Sequence, residues 1–264
     1  MKKKTIKIGL IGVYHRGQLG LEAHRPEEGF EVVIGADVSK DKFKAFAEKV
    51  PKAKQVLDWH KVINDPEVDA VFVTVPDFMH EEVACAALEA GKAVYLEKPI
   101  AITIEGADRI LRTAYRTGSK LFLGHNMRYF SSILKMKEVI DSGMIGEVQC
   151  GWCRHFISYG GDAYFRDWHS EQKYSNGLLL QKGAHDIDVM HWLMGSYTKR
   201  VVGMGMLSVY DKLPRRKPDE EVDVYKIWSD ANYPPVELSG FSPVIDVEDH
   251  NMVMMQLENG AQAT

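Results

Sequence analysis

The sequence predicts an α/β fold in two parts: a parallel sheet wrapped by helices over residues 1–124, then an α+β domain over 125–264 with a mostly antiparallel, open sheet. Three observations predict this. Short apolar runs alternate with stretches of helical spacing through the first half, the order that parallel strands require. The first apolar run meets a glycine turn, and an acid closes the second. Beyond Ile145-Gly146 the segments lengthen and alternate apolar with polar residues, as in an antiparallel sheet with one face wet.

In order, residues 6–11 read as a strand, followed by Gly12, Tyr14 and Gly17 in a turn and a helix through Ala23. Strand, glycine turn and helix together suit the diphosphate of a dinucleotide, so this half is predicted to be Rossmann-type. Tyr14 occupies the place of the middle glycine, which normally lets the backbone approach the diphosphate closely. Residues 30–37 form a second strand ending in Asp37, 20 residues beyond Gly17, where a carboxylate can accept ribose hydroxyls. The acid favours NAD over NADP, because it repels a 2′-phosphate; Lys40 and Lys42 soften that repulsion.

Helical spacing over 40–50, a short strand at 54–57 and a short helix at 59–64 come next. Residues 68–75 are nearly all apolar, as a strand buried on both faces must be, and end in Pro76-Asp77. A helix over 81–90 stops at Gly91, and a strand over 93–96 delivers Glu97-Lys98-Pro99 to the carboxyl edge of the sheet, where ligands collect. Thr103 is placed as the N-cap of a helix that runs to Gly118. The strand at 120–124 then brings His125, Asn126 and Arg128 to the same edge.

In the second half, strands are predicted over 148–159, 201–210 and 247–257, with one good helix at 184–193. Residues 211–245, rich in proline and charge, read as a surface excursion. Asn259-Gly260 reads as a hairpin turn. The returning strand has hardly begun at Thr264, so a longer chain or a covering partner is expected there.

The 264 residues are 45% hydrophobic and 27% charged, with a net charge of −4. A basic surface for nucleic acid is not indicated, and no apolar stretch approaches a membrane span. A small-molecule partner and a cytoplasmic location are the expectation. Cys150 and Cys153 have C-x-x-C spacing, but on a strand their thiols diverge, so redox or zinc chemistry is not predicted. His185, Asp188 and His191 share a helix face; they are read as a catalytic histidine with ordinary neighbours, and no metal is predicted. Met252, Met254 and Met255 are read as core and sheet packing.

Taken together, Gly12 to Gly17, Asp37, Thr74-Val-Pro76-Asp-Phe-Met-His80, Glu97-Lys98-Pro99, Gly124-His-Asn-Met-Arg128-Tyr129 and Gly183-Ala-His185-Asp-Ile-Asp188 resemble the Gfo/Idh/MocA family of nicotinamide-dependent oxidoreductases. The resemblance implies hydride transfer between NAD(P) and a hydroxyl of a sugar, sugar derivative or cyclitol. It also implies a homodimer or homotetramer built through the open sheet. Lys98 would lie near the reacting hydroxyl and His185 would be the acid/base. Gly12, Tyr14, Gly17, Asp37, Thr74, Pro76, His80, Glu97 and Asn126 would line the cofactor site. Arg128, Trp168 and His169 are candidate substrate contacts, with His155 and Tyr159 behind them. Gln181 is a departure: the family pattern has an acid four residues before the histidine, and an amide cannot stabilise an imidazolium as a carboxylate does. Lys182 beside it would lower the histidine pKa if it points inward. Two other activities fit the same residues: a redox-neutral NAD-dependent glycosidase, and a non-catalytic protein that binds or senses the nucleotide.

Overall fold

A computed structural model of the chain describes residues 5–157, 161–220 and 239–264. The chain divides into two compact units, Met1–Gly124 and His125–Thr264.

The first unit runs β1 (Ile6–Ile11), α1 (Gln18–Leu21), β2 (Phe30–Ala36), α2 (Lys44–Lys49), β3 (Lys54–Val56), α3 (His60–Ile63), β4 (Ala70–Val73), α4 (His80–Glu89), β5 (Ala93–Leu96), α5 (Ile104–Thr117) and β6 (Leu121–Leu123). All six strands are parallel, in the order β3-β2-β1-β4-β5-β6. The order reverses between β1 and β4, and that reversal opens a crevice at the carboxyl ends of the strands.

Burial explains the apolar runs. Val71, Val73, Val94 and Leu96 pack with Val83, Ala87 and Leu88 of α4 and Ile110 of α5. Ile8, Leu10 and Val32 form a second cluster with Phe43, Phe46 and Val50. Helix ends follow local chemistry. The Thr103 side chain accepts the Gly106 N–H at 3.0 Å to open α5, and Gly118 closes it at φ 68°. Gly91 leaves α4 at φ 74°, where a side chain would be strained.

The second unit runs α6 (Ser131–Asp141), β7 (Cys150–Gly151), α7 (Gln172–Ser175), α8 (Ala184–Met194), β8 (Thr198–Met206), β9 (His250–Leu257) and β10 (Gln262–Ala263). Its sheet has the order β7-β10-β9-β8, with β7 and β10 parallel and the other pairs antiparallel. Met190 and Met194 of α8 pack on Met255, Leu257 and Ala263 to form the core of this sheet. Gly260, at φ 91°, turns β9 into β10.

Two expectations change, and one part of the reading lies outside the described residues. The strand predicted from 148 is two residues long, because among the described residues its backbone finds a strand partner only along β10; Cys153 still donates to the Thr264 carbonyl at 2.8 Å. Tyr159 lies outside the described residues, as does most of the excursion predicted over 211–245. The second change concerns the wet face. Val202 faces Met254 and Met204 faces Met252 across β8 and β9, and all four are exposed. Only Met255 of the three methionines in β9 is core.

Candidate functional site

In the first unit the glycine turn is held from three sides. Gly12 sits at φ 86°, and a β-carbon there would come within 2.7 Å of the Thr74 carbonyl oxygen. The Thr74 hydroxyl donates to the Gly12 carbonyl at 2.7 Å and to the Ile11 carbonyl at 3.1 Å. Gly17 packs so tightly on the Gly12 carbonyl that any side chain would collide with it. Tyr14 turns its backbone towards β2: its N–H and that of Val13 donate to Asp37 Oδ2 at 3.2 and 3.0 Å, while Asp37 Oδ1 accepts the Val38 N–H at 2.8 Å. The Tyr14 ring carries the Lys42 ammonium 4.3 Å from its centroid. Val38, beside the acid, is 83% exposed.

Glu97 and Lys98 follow β5 and are almost fully buried, at 4% and 8% exposure. Glu97 Oε2 accepts the Lys98 main-chain N–H at 3.2 Å, and Oε1 accepts from Arg16 Nε at 3.1 Å and the Tyr95 hydroxyl at 3.3 Å. Burial pulls the Lys98 ammonium below the ordinary lysine range; the charges of Asp77 and Glu97 oppose this, and Arg16 adds to it. The Lys98–Pro99 peptide is cis. Pro76 opens the short turn Asp77–Met79 that leads into α4.

His80 has a different place from the one expected. It is fully buried, with Nδ1 2.7 Å from the Pro99 carbonyl and Nε2 3.0 Å from the Val75 carbonyl. Both ring nitrogens are taken up by main chain, so His80 ties the end of β4 to the Lys98 turn instead of facing a ligand.

In the second unit, a single π-helical turn, Leu179–Gly183, leads into α8 and carries Gln181. Such turns insert one extra residue and often mark functional positions. Gln181 is buried, and so is His185 in the first turn of α8. The His125 ring stands edge-on to that of His185, centroids 5.9 Å apart. One turn later Asp188 takes two bonds from Arg128, Nε at 2.7 Å and Nη2 at 2.5 Å, with His125 Nδ1 at 3.7 Å. Arg128 is therefore held in an ion pair with Asp188 that raises its pKa, while its side chain stays 38% exposed. Asn126 opens the short turn Asn126–Tyr129 that carries it.

Trp168 and His169 stack on each other at 3.7 Å. Asp167 fixes His169 through its N–H at 3.0 Å and Nδ1 at 2.6 Å, and Tyr164 meets the ring edge-on. Tyr164 itself belongs to a small core with Phe165 and Phe241, so the partly buried Trp168–His169 pair lies against that core. Lys182 points its ammonium at the Tyr164 ring, 4.5 Å from the centroid. His155 bonds Asp186 at 3.0 Å, and His191 bonds the Thr198 hydroxyl at 2.7 Å. The Cys153 thiol is pushed up to about 11 by burial and then by Asp186, the reverse of a reactive thiolate. Among the described residues no three metal-ligating side chains gather into a site.

The structure thus gathers Gly12, Tyr14, Gly17, Asp37 and Thr74 into one hydrogen-bonded group. Arg16, which motif reading passed over, links that group to Glu97 and Lys98. In the second unit His185 gathers with His125 and Asp188. A sign of Arg16 was present in the sequence, because an acid at a buried strand end needs a cation.

A model of the oxidoreductase family with an NAD-binding Rossmann fold, GFO_IDH_MocA, matches residues 6–125, and the GFO/IDH/MocA C-terminal domain matches residues 133–264. The inositol 2-dehydrogenase of Salmonella typhimurium (strain LT2) is 32% identical over 203 residues, 75% of this chain and 57% of that protein. The inositol 2-dehydrogenase of Klebsiella pneumoniae subsp. pneumoniae is 36% identical over 197 residues, 72% of this chain and 55% of that protein. The chain spans little more than half the length of these curated relatives. Among solved structures, an NAD binding oxidoreductase from Klebsiella pneumoniae superposes with a TM-score of 0.78 at 26% identity, covering 98% of this chain and 65% of that one.

Proposed function

The chain belongs to the GFO/IDH/MocA oxidoreductase family, and on that premise we propose that it is an NAD-dependent dehydrogenase acting on a ring hydroxyl of a cyclitol such as an inositol. The observation that carries the reading is a buried lysine, Lys98, at the carboxyl end of β5 in a sheet whose order reverses beside the glycine turn.

The residues fit the dinucleotide. Gly12 and Gly17 form a turn too tight for side chains, and Asp37 is oriented by three backbone donors, which leaves a lone pair on Oδ1 for a ribose hydroxyl. Thr74, Pro76 and Glu97 complete the cofactor-binding set of the first unit, with His80 tying the ends of its strands together, and the family resemblance assigns Asn126 the same role. When bound, NAD supplies the hydride acceptor. His185 takes the hydroxyl proton as the carbon–hydrogen bond breaks, since a carbinol cannot become a carbonyl while it keeps that proton. Lys98 stabilises the alkoxide that develops. Gln181, one turn before His185, donates or accepts hydrogen bonds without adding charge.

The exposed pairs Val202/Met254 and Met204/Met252 support a homodimer or homotetramer formed through the second sheet. No described helix is long and apolar enough to cross a membrane.

The test is to mix the chain with NAD and a panel of inositols and follow the reduced-nicotinamide band. Turnover is expected, and Lys98→Ala should lower it by roughly 10²-fold or more. Equal turnover in Lys98→Ala removes the role of the lysine. Hydrolysis of a glycoside with no net reduced cofactor would instead favour the redox-neutral reaction.

A further inference from the structure

A diphosphate held at a glycine turn normally meets backbone N–H groups and the start of a long helix. Here most of those donors are already engaged. The Val13 and Tyr14 N–H groups bond Asp37, the Gly17 N–H closes on the Tyr14 carbonyl at 2.9 Å, and the Gln18 N–H is turned back to the carbonyls of His15 and Arg16. The helix that follows, α1, is four residues long and offers little dipole. Tyr14 also takes the place of the glycine that would let the backbone come close.

Arg16 lies in this same turn. Its Nε is 3.1 Å from Glu97 Oε1, a carboxylate so buried that it needs a cationic partner. Guanidinium has five N–H donors in a planar fork, and one of them goes to Glu97. The side chain nonetheless keeps 45% of its surface open to solvent. A buried anion therefore holds a planar cation in place within the turn, with its outer edge open.

Building on the dinucleotide reading above, we propose that Arg16 is a diphosphate-binding residue, anchored by Glu97, that stands in for the backbone N–H donors a glycine at position 14 would bring close to the phosphates. An arginine fork matches phosphate oxygens in pairs, and the anchor removes the entropy cost of ordering a long side chain on binding.

The test is calorimetric titration of the full chain with NAD and ADP-ribose, together with adenosine, which has no phosphate, followed by ligand-observed NMR. Arg16→Ala should weaken NAD and ADP-ribose about tenfold, the loss of a charge-assisted bond. Adenosine should stay within about twofold, and Arg16→Lys should fall between. The double variant Arg16→Ala/Glu97→Gln removes both charges, so it leaves no buried carboxylate without its cation; measured against Glu97→Gln alone, it should show the same selective loss even if Arg16→Ala folds poorly. Unchanged binding of NAD and ADP-ribose in these variants overturns the inference, as does an equal loss for adenosine. If the parent chain binds neither NAD nor ADP-ribose, the dinucleotide reading itself fails, an outcome distinct from either.

Discussion

Replacing Gly17 with alanine tests the glycine turn with the least chemistry. The added β-carbon would lie 2.7 Å from the Gly12 carbonyl carbon and nearer still to its oxygen. Carbon atoms prefer separations of about 3.5–4 Å, so one main-chain segment must move by roughly 1 Å. Gly12 has nowhere to retreat. Its N–H is bonded to the Ala36 carbonyl at 2.9 Å, its carbonyl is gripped by Thr74 at 2.7 Å, and the Thr74 backbone fills the space on its other side. Relief must break the Thr74 bond or pull Val13 and Tyr14 away from Asp37. Overpacking of this kind costs about 1–3 kcal/mol and the broken bond about 1 kcal/mol more. The sum predicts a fall in Tm of roughly 5–12 °C. Thermal unfolding by circular dichroism measures the first effect, and titration with NAD the second, where a loss of tenfold or more is expected because the turn no longer fits. If Gly17→Ala melts with the parent and binds NAD equally well, the close approach carries no weight and the reasoning fails.

The depressed pKa of Lys98 has a kinetic signature. Alkoxide stabilisation needs the ammonium form, so turnover should fall as pH rises through a value below the ordinary lysine range of about 10.4; a pH profile of Lys98→Arg should lack that limb. Asp249 gives the opposite sign for stability. Burial alone would raise its pKa, but N–H groups of Val209, Ser208 and Tyr210 at 2.7, 3.0 and 3.1 Å, together with His250, hold it below the usual carboxylate value. Its contribution is therefore present above pH ~4 and lost as pH falls through the lower folded value; Asp249→Asn should cost about 1–3 kcal/mol at neutral pH and flatten the acid limb of a denaturation series. Met252→Glu places a charge in the exposed apolar face opposite Met204 and should dissociate the oligomer in light scattering. A parent chain that is already monomeric would refute the assembly reading.

The sequence by itself determined the elements whose causes are local. Thr103 and Gly118 bound α5 because a cap and a left-handed residue act within one turn, and the nearly all-apolar run over 68–75 already read as a strand buried on both faces. The run of motifs from Gly12 to Asp188 likewise marked the family without any coordinates. What only the tertiary structure decided involves partners far apart in the chain. Arg16 and Glu97 meet across 81 residues, His80 reaches Pro99, and Arg128 closes on Asp188 across 60. The length of β7 was set by β10, more than a hundred residues later, and the exposure of Met252 and Met254 by what α8 leaves uncovered. Periodicity reports which face of an element is apolar. It does not report which residue from elsewhere meets that face, and a buried charge or a strand end is defined by that meeting.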